Sequence, residues 1–172
     1  MATQYVDFFL IDNSAPDDRV LSIERFITFG EGTVESVVDL VSVVSSKCKA
    51  NNAKVGTLRL SGHGDEDGGP IGKDWITVAT LPKYSVDLAK LNAYFDRSRT
   101  TVIFDSCLTG TNIRLLSKLS ELWNGVPVSG FFENQVPNFI KPSDEGLKFT
   151  CTLKNCVGTH PDTTARSTIR LR

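Results

Sequence analysis

Thr57-Leu58-Arg59-Leu60-Ser61-Gly62-His63-Gly64 and Thr101-Val102-Ile103-Phe104-Asp105-Ser106-Cys107-Leu108-Thr109-Gly110 follow one plan. Each opens as a run of β-type apolar residues and closes in a polar segment containing glycine. Read as parallel strands, they deliver an imidazole and a thiol to the carboxyl edge of one sheet, where open α/β sheets build their sites. The chain has only two histidines and four cysteines, so one of each just past a strand end stands out against chance. A thiol becomes a nucleophile when a nearby base takes its proton, and the pair reads as a cysteine-histidine dyad.

The flanking sequence fits such a sheet. Tyr5 to Ile11 is nearly all apolar or aromatic and predicts a buried first strand. Pro16 and its acidic neighbours predict a loop, and Val20 to Phe29 reads as irregular or a short strand. Val34, Val37, Val38, Val41, Val44 and Cys48 then recur at helical spacing, predicting a helix from Thr33 to about Asn51-Asn52. Gly32-Thr33 offers its cap, with Glu35 in the first turn. Asp65 to Gly72 is a glycine-rich acidic loop, and Trp75 to Ala79 a short strand or hairpin arm. Leu88, Leu91 and Phe95 mark a helix over about 85–96. Ile113, Leu116, Leu119 and Trp123 mark another, ending at Gly125. Val126 to Gly130 begins a fourth strand, and Leu147 to Leu153 alternates as an edge strand should. Alternating strands and helices predict an α/β fold, a mostly parallel central sheet flanked by helices with right-handed crossovers.

Size and composition bound the rest. At 172 residues the chain fits a single domain spanning 1–172, and 40% hydrophobic residues suffice for a core. A net charge of −1 gives no global pull toward nucleic acid or an anionic membrane. No segment reaches the roughly 20 apolar residues that span a bilayer, and the opening residues lack a secretory pattern. Cytoplasmic residence with reduced thiols is the expectation. Cys48 lies on an apolar helix stripe and reads as core. Cys151 and Cys156 lack partners for a zinc site, and the arginines from Arg166 onward read as a solvated end.

In the chemistry this layout allows, Cys107 attacks a carbonyl carbon and His63 manages the protons. The N–H groups of Gly64 and Cys107 are the natural oxyanion donors. The start of the helix after Cys107 would favour a thiolate. Strand alternation puts Asp105 on the face of Cys107 and Ser61 on the face of His63. A carboxylate beside a thiolate calls for a cation, which an incoming Lys or Arg side chain would supply.

Ser61-Gly62-His63-Gly64 together with Asp105-Ser106-Cys107-Leu108-Thr109-Gly110 resembles the paired signatures of metacaspases, within the caspase-like clan of cysteine peptidases. The interval between His63 and Cys107 is close to the roughly 50 residues expected of caspases. Asp-Ser-Cys, in place of Gln-Ala-Cys, matches the metacaspase side. The resemblance covers Thr57 to Gly125 and departs at Leu108-Thr109, where His-Ser is usual. It implies a caspase-like three-layer sandwich, lacking some later strands of a full unit. It also implies a His63/Cys107 dyad cleaving protein or peptide substrates after Arg or Lys through a thioester acyl-enzyme. Asp105 and Ser61 would bind the basic side chain, with Asp12, at the end of the first strand, as a further acid chosen by location.

Metacaspases often use Ca²⁺. The nearest acids here are Asp65-Glu66-Asp67 and Asp74, whose spacing matches no defined metal site and fits a solvated loop better. No other cofactor is expected. Two alternatives stay open: a catalytically silent caspase-like module that binds a partner in the same cleft, and an amidotransferase-like hydrolase using Cys107, His160 and Asp162.

Overall fold

The first apolar run is an interior strand. The computed structural model describes residues 3–12, 32–132, 148–159 and 166–170. In chain order its elements are β1 (Gln4–Asp12), β2 (Thr33–Val34), α1 (Val37–Ala50), β3 (Ala53–Ser61), β4 (Gly68–Ile71), β5 (Asp74–Thr77) and α2 (Leu81–Ala89). They continue with β6 (Thr101–Asp105), α3 (Ile113–Leu122), β7 (Val128–Phe131), β8 (Lys148–Thr152), β9 (Asn155–Thr159) and β10 (Arg166–Arg170). Eight strands form one sheet in the order β10-β9-β8-β7-β6-β3-β1-β2, and β4 and β5 form a separate hairpin. Pairings from β2 across to β7 are parallel, and those from β7 to β10 are antiparallel. The α/β class and the mostly parallel centre are as expected.

The chain steps in one direction from β1 to β3, β6 and β7. Right-handed crossovers that all step the same way leave their helices on one face. Accordingly Leu40 and Val44 of α1, Leu88 of α2 and Leu116 of α3 share one core with Leu10, Leu58, Phe104 and Val128 of the sheet. Trp123 closes the α2–α3 contact: its indole N–H donates to the Leu88 carbonyl at 3.0 Å, and Phe95 meets its ring edge-on at 5.5 Å. In β1 the register shifts between Val6 and Phe8. There the Asp7 carboxylate accepts the Thr57 N–H at 2.6 Å, replacing a ladder bond.

Several boundaries differ from the expectation. Thr33–Val34 pairs with Ile11–Asp12 as a strand, and α1 begins at Val37. Its cap is Ser36, whose hydroxyl accepts from Asp39 N–H, while the Asp74 carboxylate accepts from Val37 N–H at 2.9 Å. The second helix starts at Leu81, earlier than its apolar stripe, because Pro82 is well placed in a first turn. It continues as a 3₁₀ turn over Lys90–Ala93. β8 is interior, since β9 covers its outer side. The arginine-rich stretch, read as a solvated end, forms strand β10 over Arg166–Arg170, paired with β9. Residues 13–31, with the Pro16 loop and the Val20 to Phe29 segment, lie outside the described residues.

Cys151 and Cys156 face each other across the β8–β9 hairpin and form a disulfide. This corrects the expectation of reduced thiols for that pair. Directly opposed antiparallel positions bring side chains within bonding reach, which no reading of spacing for zinc considers. Cys48 is buried in the core as expected, and its burial pushes the thiol pKa up. No described helix is long and apolar enough to cross a membrane.

The amino edge of the sheet is tied by one carboxylate. Asp96 accepts from Tyr5 Oη at 2.6 Å and from Ser98 N–H and Oγ at 2.9 and 2.7 Å. Those bonds, led by the Ser98 hydroxyl, lower its pKa to about 2 from an ordinary 3.8. A pKa that is lower in the folded state stabilises fully above the unfolded value and is lost as pH falls through the folded one. Asp96→Asn should therefore melt below the wild type at pH 5, with the gap closing as the pH approaches 2. A gap that does not change with pH would show that the carboxylate contributes nothing as an anion.

Candidate active site

β3 and β6 are parallel neighbours in register, Ser61 opposite Asp105, so both end at the same edge. Chain order reverses beside β1, which leads to β2 on one side and is hydrogen-bonded to β3 on the other. Such a switch point opens a crevice at the carboxyl ends. His63 lies two residues past β3 and is exposed; Cys107 lies two past β6, is half-buried and is not part of the disulfide.

What seats the two loops together is the absence of a side chain at Gly64. A Cβ there would stand 2.7 Å from the Cys107 carbonyl oxygen, 2.7 Å from Ser106 Cβ and 2.9 Å from Thr109 Cγ2. The peptide after His63 thus rests directly on the Ser106–Cys107 backbone. The β4–β5 hairpin covers both loops. A Cβ at Gly69 would approach Thr109 Cγ2 to 3.0 Å, and one at Gly62 would meet Pro70 at 2.9 Å. From α3, the Asn112 side-chain amide donates to the Asp67 carbonyl at 3.0 Å.

The cysteine loop is a tight, strained turn. Leu108 has φ 57° and ψ 0°, a left-handed conformation that costs a side-chain-bearing residue roughly 1–2 kcal/mol. Its carbonyl accepts from both the N–H and hydroxyl of Thr111, at 2.9 and 2.7 Å. The Thr109 hydroxyl donates to the Ser106 carbonyl at 3.0 Å. A 3₁₀ turn over Thr109–Thr111 follows, and α3 begins only at Ile113, capped by Asn112. α3 therefore does not begin beside Cys107 as expected, and because the helix dipole fades within one turn it gives no support to a thiolate there.

Asp105 does not wait for a cation. Arg59 Nη1 donates to Asp105 Oδ2 at 2.8 Å, with side chains only 9% and 12% exposed. Arg59 sits two residues before Ser61 on β3, so alternation puts it on the same sheet face, away from the helices. Ser61 is buried directly across from Asp105. Asp12 is buried as well, but it has the strand parity of Leu10, and its Cβ lies 3.0 Å from the Cβ position of Gly62. It therefore starts on the opposite face from Ser61 and Asp105. Sequence reasoning missed Arg59, although a lone charge inside Leu58-Arg59-Leu60 is itself a signal of a buried partner.

The acidic loop is built inward. Asp65 Oδ1 accepts from the N–H groups of Asp67 and Gly68 at 2.8 and 3.1 Å, and Asp74 caps α1. Among the described residues no group of three or more His, Cys, Asp or Glu converges as a metal site. His160 and Asp162 lie outside the described residues.

Gly64 does not have a left-handed φ, so replacing it acts through space alone. Gly64→Ala should destabilise the fold by about 1–3 kcal/mol through overpacking against backbone and lower activity further by parting the loops. Chemical denaturation measures the first effect. Wild-type stability in this variant would mean that the loops do not touch.

No protein-family model, curated protein or solved structure matches the chain.

Proposed function

We propose that the chain is a cysteine endopeptidase of the caspase-like, metacaspase-type kind, in which His63 and Cys107 form the dyad. The observation that carries the reading is the seating of the His63-Gly64 peptide on the Ser106–Cys107 backbone. It fixes two loops from adjacent parallel strands at one edge, where a thiol and its base must meet. In the caspase-like fold proposed here, a second helical layer would cover the face that carries Arg59 and Asp105.

The reaction divides into two steps. Cys107 Sγ attacks the scissile carbonyl carbon as His63 takes the thiol proton, and the carbonyl π pair moves onto oxygen. The N–H groups of Gly64 and Cys107 receive that oxyanion; one such donor is typically worth roughly 10²–10³ in rate. Collapse breaks the C–N bond, His63 returns the proton to the leaving amine, and a thioester remains. Water, deprotonated by His63, then attacks the thioester, releasing a carboxylic acid and the thiol. Asp105 and Ser61 support a preference for Arg or Lys at the cleaved position.

A peptide-library cleavage assay tests this. Cys107→Ala and His63→Ala should each lower amide hydrolysis by at least about 10²-fold while leaving the unfolding midpoint unchanged. Excess chelator should leave the rate unaltered, because Asp65 and Asp74 already hold backbone N–H groups. Full activity in His63→Ala, with loss in His160→Ala, would transfer the chemistry to the amidotransferase-like arrangement. No hydrolysis of any peptide by the folded wild type would leave a binding module.

A further inference from the structure

We propose that Trp75, on the β4–β5 hairpin, is a substrate-binding residue of this site: its indole receives an apolar or aromatic side chain of the peptide, a few residues from the scissile bond. The inference rests on the hydrolase reading above and adds a second point of recognition to it.

Trp75 stands apart among the exposed apolar side chains. Val38 and Val86 lie on α1 and α2, Leu153 lies between β8 and β9, and only Trp75 and Phe132 stand by the carboxyl edge of the parallel strands. Phe132 already rests against Phe149, with ring centroids 5.9 Å apart. Trp75 is 38% exposed. Among the described residues its ring has no aromatic or cationic neighbour, and its N–H has no hydrogen-bond partner. The chain's other tryptophan, Trp123, is fully buried with its N–H bonded to the Leu88 carbonyl. A half-open indole offers a large apolar face and a donor together, the combination that makes tryptophan frequent where ligands bind.

The hairpin turns this ring toward the His63 loop. Directly opposed residues of an antiparallel pair share a face, and Trp75 is opposed to Pro70. The other face carries Ile71 and Ile76 into the core. Pro70 rests on Gly62, whose Cβ position is 2.9 Å from the proline ring, and Gly62 is the residue before His63. That path sets Trp75 roughly 10–15 Å from His63, a span of three or four residues of extended peptide at about 3.3 Å each. The arm is also fixed in place. Thr80 Oγ1 donates to the Trp75 carbonyl at 2.6 Å, Lys73 N–H donates to the Glu35 carbonyl at 3.0 Å, and Asp74 caps α1. A ring positioned in advance loses little freedom when a ligand covers it.

Hydrolysis of a peptide series tests this: Arg at the cleaved position, Ser elsewhere, and Phe placed in turn at each of four positions on either side. In the wild type one position, two to four residues from the scissile bond, should favour Phe over Ser by at least about tenfold in kcat/KM, the scale of burying one aromatic side chain. Trp75→Ala should bring that ratio near one, and Trp75→Phe should keep a several-fold preference, which controls for the integrity of the hairpin. In the inactive Cys107→Ala variant, binding of the favoured peptide should shift indole emission to the blue as Trp75 is covered, since Trp123 is buried already. A Phe preference that survives Trp75→Ala, or none in the wild type, would overturn the inference and leave the hydrolase reading intact. A uniform loss on every peptide in Trp75→Ala would overturn it too, assigning Trp75 to the support of the hairpin. No hydrolysis of any peptide by the folded wild type would overturn the hydrolase reading, and this inference with it.

Discussion

The site depends on one steric fact: a backbone can rest on another backbone only where no Cβ intervenes. Gly64 meets the Ser106–Cys107 peptide at a distance that no side chain tolerates. Two loops that leave different strands are thereby locked to each other. Around that contact the rest is support. The β4–β5 hairpin lies over both loops through Gly62 and Gly69, Asn112 ties the hairpin to the start of α3, and Asp74 ties it to the start of α1. Glycine and cap residues, not bulk hydrophobics, determine where the imidazole and thiol are delivered.

The parallel sheet makes that delivery possible. Strands that step one way across a sheet share a carboxyl edge, and in-register pairing of Ser61 with Asp105 brings their two ends level. The unused amino edge is closed by the Asp96 network, and the antiparallel extension β8–β10 is clasped by Cys151–Cys156 at its first hairpin. The sulfurs of that bridge lie 3.5 and 3.9 Å from the Ile113 carbonyl oxygen, packing the hairpin against the first residue of α3. One edge of the sheet therefore carries the His63 and Cys107 loops, and the other is tied by Asp96.

How much of this was legible in the sequence follows from range. The apolar run of β1, the valine stripe of α1 and the strand-then-glycine plan of β3 and β6 are local patterns, and they gave the core elements and the shared edge at which the His63 and Cys107 loops leave β3 and β6. Strand alternation also put Ser61 and Asp105 on one face. What escaped depended on partners distant in sequence. Arg59 gained meaning only from Asp105, Ser36 and Asp74 decided jointly where α1 begins, and β9 and β10 are strands because β8 offers them an edge. Asp12 was chosen by its place at the end of β1, and parity sets it on the other face. The disulfide required knowing that Cys151 and Cys156 are direct cross-strand neighbours.

The central claim is that His63 acts on Cys107 across the contact at Gly64. The rate at which iodoacetamide alkylates Cys107 in the folded protein at neutral pH tests it without assuming any substrate. The account predicts modification at Cys107 with buried Cys48 spared, and a rate at least about tenfold slower in His63→Ala, because the thiolate is the reacting species and its base has been removed. Equal alkylation rates in the wild type and His63→Ala would contradict it.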